Sequence, residues 1–416
     1  MAPGDRDDVT PGGEEGRATF GGLLAVGEFR ALWLAQVLSV VGDQLARVAL
    51  MLLVYARTGS ALLAAVTFAA SVVPTFAGGL ALAGLADRLP RRQVMIACDL
   101  VRAVLVAVMA IPGVPLAALV ALLFVVTMAG TPFSSARAAL YPEVLPGDLY
   151  VLGNAVTLTT YQIAQVIGFA AGGAIVGFLG VRTSLLADAS TFAASALITR
   201  LRVAARPAAR PARHEHASSA GLRAAIRLVF GSPALRTPML LGWLAAFYNA
   251  PEGIAAPLAG TLGSGAVSVG LILAAPALGA SLGAAVFSRL AGPAARQRWM
   301  RPLAFASCAV LVLFATGPRL PAALLILFAS GVFDCFQVAA SAAFIRATPQ
   351  PLRSQAFGLA QAGMSLGQGT AMILAGAAAL HYAPVTVIAV SGALGASAAA
   401  AIRSGPHTRP PGGDGT

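Results

Sequence analysis

The 416-residue sequence contains no lysine; all 28 basic side chains other than histidine are arginine. Charge of either sign is scarce, at 11% of residues against 58% hydrophobic. A chain of this length needs far more charge to cover a water-facing surface, so a globular cytosolic enzyme does not fit. Cysteine is rarer still: Cys98, Cys308 and Cys335 stand far apart inside apolar runs, which provides neither a disulfide framework nor a metal spacing. The motifs of nucleotide-driven or hydrolytic chemistry are missing as well. There is no Walker A run, no Gly-x-Ser-x-Gly and no His-Glu-x-x-His. His214 and His216 fall in a polar interval and read as solvated loop residues, while His381 and His407 are isolated. We therefore expect no catalytic set, no metal and no cofactor. The first 29 residues also lack the basic, apolar and cleavage regions of a removable signal peptide.

What the sequence does have is apolar runs long enough to cross a bilayer, which takes about 20 residues each. They fall at 31–56, 61–86, 93–112, 115–139, 151–179 and 182–200, then at 236–261, 267–290, 302–317, 320–345, 355–380 and 383–402. The run at 302–317 is short, and that at 320–345 has a diffuse end. Between the two sets lies a polar interval, 201–235, rich in Arg and Pro, with a short interfacial helix expected around Leu222–Val229. The Gly- and Pro-rich tails, 1–28 and 404–416, are expected to be disordered. The expected architecture is an all-α membrane protein of twelve transmembrane helices. One six-helix bundle covers 29–200, a cytoplasmic linker 201–235 and a second bundle 236–403.

Arginine placement sets the expected orientation. With both termini cytoplasmic, only Arg57, Arg182 and Arg319 of the 28 lie on outer loops, and Arg47 lies within the first span. The rest fall on inner loops, tails or inner span ends, as the positive-inside rule requires. Basic charge spread over successive short loops offers no single face to a nucleic acid. The two sets of six spans also repeat each other, with corresponding spans starting 201 to 209 residues apart and Pro146 matching Pro351 at 205. Such a parallel duplication is known from secondary transporters.

Ionisable residues inside the spans are the sharpest functional signal, because each costs roughly 2.5–3.5 kcal/mol to insert unless paired or hydrated. Asp43 and Arg47 are four residues apart on one helix face, and Glu252 lies in the seventh span beside Tyr248 and Asn249. Asp99 and Arg102, Asp188, and Asp334 occupy the third, sixth and tenth. A 205-residue offset maps Arg47 onto Glu252 and Asp43 onto Tyr248. Asp43, Arg47 and Glu252 are therefore expected to form a charge cluster in a central cavity. The competing reading is a static Asp43–Arg47 ion pair that fixes the helix. Candidate substrate contacts are Gln36, Tyr161, Gln162, Gln165, Tyr248, Asn249, Gln337, Gln361 and Gln368; helix-to-helix hydrogen bonding competes for each of them.

The segment GLADRLPRR (Gly84–Arg92) resembles the loop 2–3 signature of the major facilitator superfamily, with Asp87, Arg88, Arg91 and Arg92 at matching positions and Pro90 where a glycine is usual. The stretches FRALWLAQVLSVVGDQLARVAL, CDLVRA and SSARAALYPEVLPGDL are similar to the bacterial drug and siderophore exporter branch, which includes macrolide-efflux and enterobactin-exporter-like proteins. QVIGFAAGGAIVG (Gln165–Gly177) resembles the antiporter signature, with Gly168, Gly172 and Gly173 in place and Phe169 where the family has proline. The resemblance implies a conformational latch at Asp87, Arg88, Arg91 and Arg92. It also implies close helix contacts between halves at Gly168, Gly172, Gly173, Gly279, Gly283, Gly363 and Gly367. It implies a monomeric bacterial cell-membrane efflux antiporter that confers drug resistance. The proton gradient would drive it, and its partners would be a small molecule and the lipid bilayer. Uptake or facilitated diffusion stays open because of Phe169, and a non-transporting sensor or membrane-embedded enzyme is the competing class.

Overall fold

The computed structural model describes residues 19–74, 89–207 and 219–402 and is entirely helical there. In chain order the helices are α1 (Phe20–Ala25), α2 (Gly27–Thr58), α3 (Ala61–Ala69), α4 (Arg91–Met109), α5 (Leu116–Val144) and α6 (Asp148–Arg202). The second half holds α7 (Ser219–Gly231), α8 (Pro233–Trp243), α9 (Ala245–Tyr248), α10 (Ala250–Gly253), α11 (Ala255–Thr261) and α12 (Ala266–Leu290). It ends with α13 (Pro293–Ala309), α14 (Leu320–Phe333), α15 (Phe336–Ala347), α16 (Arg353–Ala378) and α17 (Pro384–Ala401).

Seven helical segments among the described residues are long and apolar enough to cross a membrane. α6, at 55 residues, contains Gly180 at φ 82°, a left-handed conformation that separates two helices near the boundary read between the fifth and sixth spans. The short run at 302–317 belongs to a longer helical segment of 24 residues, because α13 starts at Pro293 and continues through a 3₁₀ turn (Val310–Thr316). The second expected span continues into residues outside the described ones after 74.

The seventh expected span, 236–261, is not one helix but four short pieces, α8 to α11. Proline explains much of the interruption. Pro251 has no N–H to give the carbonyl four residues earlier, that of Phe247. In its place the Ser391 hydroxyl of α17 donates to that carbonyl at 2.8 Å. A backbone acceptor freed inside a membrane must find such a partner. The tenth span is also interrupted: α14 ends at Asp334, and α15 starts at Phe336.

Two segments outside the expected spans differ from their expectations. Residues 20–25 form α1, capped by the Thr19 hydroxyl, which accepts from the Gly22 N–H at 3.1 Å, and Leu23 is fully buried. The helix expected near 222–229 is α7, but it is not a free interfacial helix. Val229 is fully buried in a small core with Leu235, Met239, Phe344 and Ala356.

Helices α1, α2, α4, α5 and α6 pack chiefly on one another, as do α8 to α17, whereas α3 packs mainly on α16 of the second half. α2 lies closely against the second part of α6, where a side chain at Gly42 would run into Asp188 and Thr191. The two halves meet mainly through α6 with α12 and through α3 with α16. At Gly173 and Gly270 backbone faces backbone: a Cβ on Gly173 would lie 2.7 Å from the Gly270 Cα. At Gly376 it would lie 3.0 Å from the Ala61 carbonyl oxygen.

Candidate functional site

The charged centre of the amino-terminal half is built on Arg102 of α4. Its side chain is 2% exposed and forms an ion pair with Asp43 of α2, which is 30% exposed. It also donates to Ser39 Oγ at 2.8 Å, stands 3.6 Å from Asp99 and lies over the Phe192 ring at 3.9 Å. Asp99 is fully buried and accepts from Ser195 Oγ at 2.5 Å. Asp188, also fully buried, is approached by the Thr191 hydroxyl at 3.4 Å. Burying a charge is tolerable only with such partners, and Arg102 gathers them from α2, α4 and α6.

Asp43 and Arg47 line one cavity of about 180 Å³ with Arg102, Arg137 and Tyr161. The ion pair of Asp43, however, is with Arg102. Arg47 instead donates to Gln44 Oε1 and to the Ser71 carbonyl, each at 3.2 Å. Helix packing has outweighed the four-residue spacing that favoured Arg47. Glu252 lies at the interruption of the seventh span, half-buried, within electrostatic reach of Arg47 and Asp334. No ion pair joins Glu252 to Arg47 among the described residues.

The second polar group joins the two broken segments. The Tyr248 hydroxyl donates to Asp334 Oδ1 at 2.5 Å and accepts from Gln337 Nε2 at 2.9 Å. Gln337 Nε2 also donates to the Gly242 carbonyl at 3.1 Å. Asp43 and Tyr248, equivalent by the repeat, thus both bond to a neighbouring helix, but to an arginine in one half and a carboxyl in the other.

The remaining candidates divide. Gln36 is buried: Tyr141 donates to its Oε1 at 3.4 Å, and Thr157 bonds Tyr141 at 3.1 Å. It also borders the arginine cavity, while Gln337 and Gln361 border a smaller one of about 90 Å³ beside Trp243. Gln162, Gln165, Asn249 and Gln368 line neither. Sequence reasoning missed Arg137, which was read only as an inner-end charge. The available signal was its place within the polar SSARAALY run that closes α5.

Asp87 and Arg88 lie outside the described residues. Arg91 forms an ion pair with Glu143 of α5, and Arg92 donates to the Arg200 carbonyl. Nearby, Arg206 pairs with Glu28 at 2.6 Å and approaches Glu143 at 3.5 Å. The hydrogen bond to Glu28 raises the Arg206 pKa above its ordinary value. All these contacts lie within the amino-terminal half.

Of the glycines expected between the halves, Gly173 is there. Gly168 and Gly172 face Gln44 and Val48 of α2, Gly279 and Gly283 face α14, and Gly363 and Gly367 face Trp243 and Ala246. Those six serve packing within a half. Gly177, on the same helix as Gly173, also meets the other half, at Val267, and Gly270, Gly369 and Gly376 are further interhalf glycines that went unnoticed. Among the described residues no group of His, Cys, Asp and Glu could hold a metal ion.

Residues 32–317 match the Major Facilitator Superfamily. The chain is 29% identical over 359 residues to the multidrug efflux pump Tap of Mycolicibacterium fortuitum, covering 82% of this chain and 87% of that one. It is similar in fold to a POT family transporter solved in complex with 5-aminolevulinic acid (TM-score 0.70, 11% identity, 92% and 96% of the two chains). A second solved structure, a bacterial homologue of the iron transporter ferroportin in an inward-facing state, is also similar (TM-score 0.66, 15% identity, 91% and 99%). The chain belongs to the major facilitator superfamily and is a multi-pass membrane transporter of small molecules, not an enzyme.

Proposed function

We propose that this chain exports an amphipathic small molecule from a bacterial cell by alternating access, in exchange for protons. In this reading it has twelve spans in two six-helix bundles, 29–200 and 236–403, cytoplasmic termini and a monomeric working form. Export is supported by the relation to a multidrug efflux pump over most of both chains. Orientation is supported by arginines concentrated on alternate loops. With that orientation, the contacts at Gly173–Gly270 and Gly376–Ala61 close the outer end, so the chain faces the cytoplasm.

The observation that carries the proton coupling is Glu252. It sits where the seventh segment is interrupted, in the field of Arg47 from the opposite half, without a direct ion pair. Proton binding and approach of Arg47 are alternative ways to neutralise its carboxylate. Opening of the outer side would draw Arg47 away from Glu252, so that the carboxylate takes a proton from outside; return to the cytoplasm-facing arrangement would restore the field of Arg47 and release that proton inward. Asp43, which lines a cavity with Arg47, shares this exchange through Arg102. Arg91 and Arg92, with Asp87 and Arg88 ahead of them, act as the cytoplasmic latch.

The test is accumulation of a panel of antibiotics and dyes in cells with and without the chain, repeated with an uncoupler. Lower accumulation that the uncoupler abolishes is expected for the wild type, and its loss for Glu252→Gln and Asp43→Asn. Full uncoupler-sensitive export in both variants refutes the coupling role, and raised accumulation in the wild type reverses the direction.

A further inference from the structure

The wall of the amino-terminal cavity carries three guanidinium groups, of Arg47, Arg102 and Arg137, and a single carboxylate, Asp43. That carboxylate is already engaged by Arg102. The other acids that face Arg102, Asp99 and Asp188, are 0% exposed and do not line the cavity. Arg47 donates to two neutral acceptors, Gln44 Oε1 and the Ser71 carbonyl, and Glu252, the carboxyl within its electrostatic reach, makes no ion pair with it and does not line the cavity. Arg137 has neither a hydrogen bond nor an ion pair among the described residues. Its Nε is buried without a partner, it lies 5.9 Å from the centre of the Tyr141 ring, and the carboxyl it faces, that of Asp99, is within electrostatic reach but makes no ion pair with it.

Arg47 and Arg137 are half-buried and neither forms an ion pair among the described residues; a partly desolvated guanidinium without one is unfavourable, and two at one cavity more so. Such an arrangement is explained when the missing negative charge arrives with a ligand, since the planar donor fork of arginine matches an oxyanion. The volume, about 180 Å³, is below the 300–1,000 Å³ usual for a whole drug-sized ligand and suits a charged head group.

We propose that this cavity binds an oxyanion head group, a carboxylate or sulfonate, of the exported amphipathic molecule. Arg137 and Arg47 are its cationic ligands, and the Tyr161 hydroxyl supplies a neutral donor. The proposal rests on the reading of the chain as an exporter and adds the charge of its substrate. Arg102 is the positioning residue, holding Asp43 away from the two free cations.

The test is equilibrium binding to the purified full chain in detergent, without any gradient, of two xanthene dyes of opposite charge, fluorescein and rhodamine 6G. The wild type should bind fluorescein at least tenfold more tightly. Arg137→Gln and Arg47→Gln should each weaken fluorescein by tenfold or more without weakening rhodamine 6G, while Arg137→Lys retains part of the preference. Size-exclusion elution at the wild-type position identifies folded variants, and either glutamine variant suffices. Equal affinity for the two dyes, no binding of fluorescein, or fluorescein affinity unaltered in a folded glutamine variant overturns the proposal. Anion-blind binding alongside uncoupler-sensitive export would sink this proposal alone. Anion-selective binding without proton-linked export would sink the antiport reading instead.

Discussion

With Arg102 gone, Asp43 would keep its partial contact with water, whereas Asp99 would stay fully buried with Ser195 as its hydrogen-bond donor. Removing one partner of a buried pair leaves an uncompensated charge, an effect of about 3–5 kcal/mol. Arg102→Met should therefore lower the thermal midpoint of the detergent-solubilised protein, and adding Asp99→Asn should restore part of it. An unchanged midpoint in the single variant contradicts the role given to Arg102. The Arg91–Glu143 pair is different because both side chains reach water, with exposures of 19% and 39%. A double-mutant cycle on it should return less than about 1 kcal/mol. The sequence alone identified Asp43, Arg47, Asp99 and Arg102 as charges at membrane depth, since hydropathy makes each conspicuous. Their pairing was not legible. Local spacing favours Arg47 for Asp43, and only the contact between α2 and α4 brings Arg102 closer.

Among the elements, the broken seventh segment differs most from what its hydropathy suggests. Its apolar run is continuous, yet Pro238, Pro251 and Pro257 interrupt the backbone ladder. The prolines were visible in the sequence; the rescue of the Phe247 carbonyl by Ser391, 144 residues away, was not. Ser391→Ala leaves that carbonyl without its donor and should destabilise the chain by about 1–3 kcal/mol, while Ser391→Thr keeps the hydroxyl and much of the stability. Equal melting of Ser391→Ala and wild type would remove Ser391 from this role. The end of α14 at Asp334 had no comparable signal, because neither proline nor a left-handed glycine marks it. Glycine spacing likewise shows that a helix has a smooth face but not which neighbour it meets. Gly279 lies under the Phe328 carbonyl within its own half, whereas Gly270, outside any glycine pair, meets the other half. Gly270→Leu should hold the outer end apart and make a cysteine placed at Val267 more reactive to a water-soluble maleimide. Gly279→Leu should lower stability without that gain in labelling. Equal labelling of the Gly270 variant and its parent would contradict closure at this contact.

At the scale of the whole molecule, apolar runs with biased arginines foretold a multi-pass membrane protein, and the repeat led to the expectation of two halves of like construction. Family membership follows from the match over residues 32–317. What the repeat could not convey is the asymmetry of charge. The amino-terminal half gathers arginines around its cavity, and the carboxy-terminal half places Asp334, Tyr248 and Glu252 at two broken segments. Alternating access in this reading moves Arg47 of one half against Glu252 of the other, so proton release is a consequence of the halves rocking. The most direct measurement uses purified protein in liposomes with a pH-reporting dye inside and an imposed proton gradient. An exported substrate identified from the cell panel is then added. Wild-type protein should dissipate the gradient when substrate is added, and Glu252→Gln should move substrate without moving protons. Substrate transport by the wild type with no accompanying proton flux would contradict proton-coupled export.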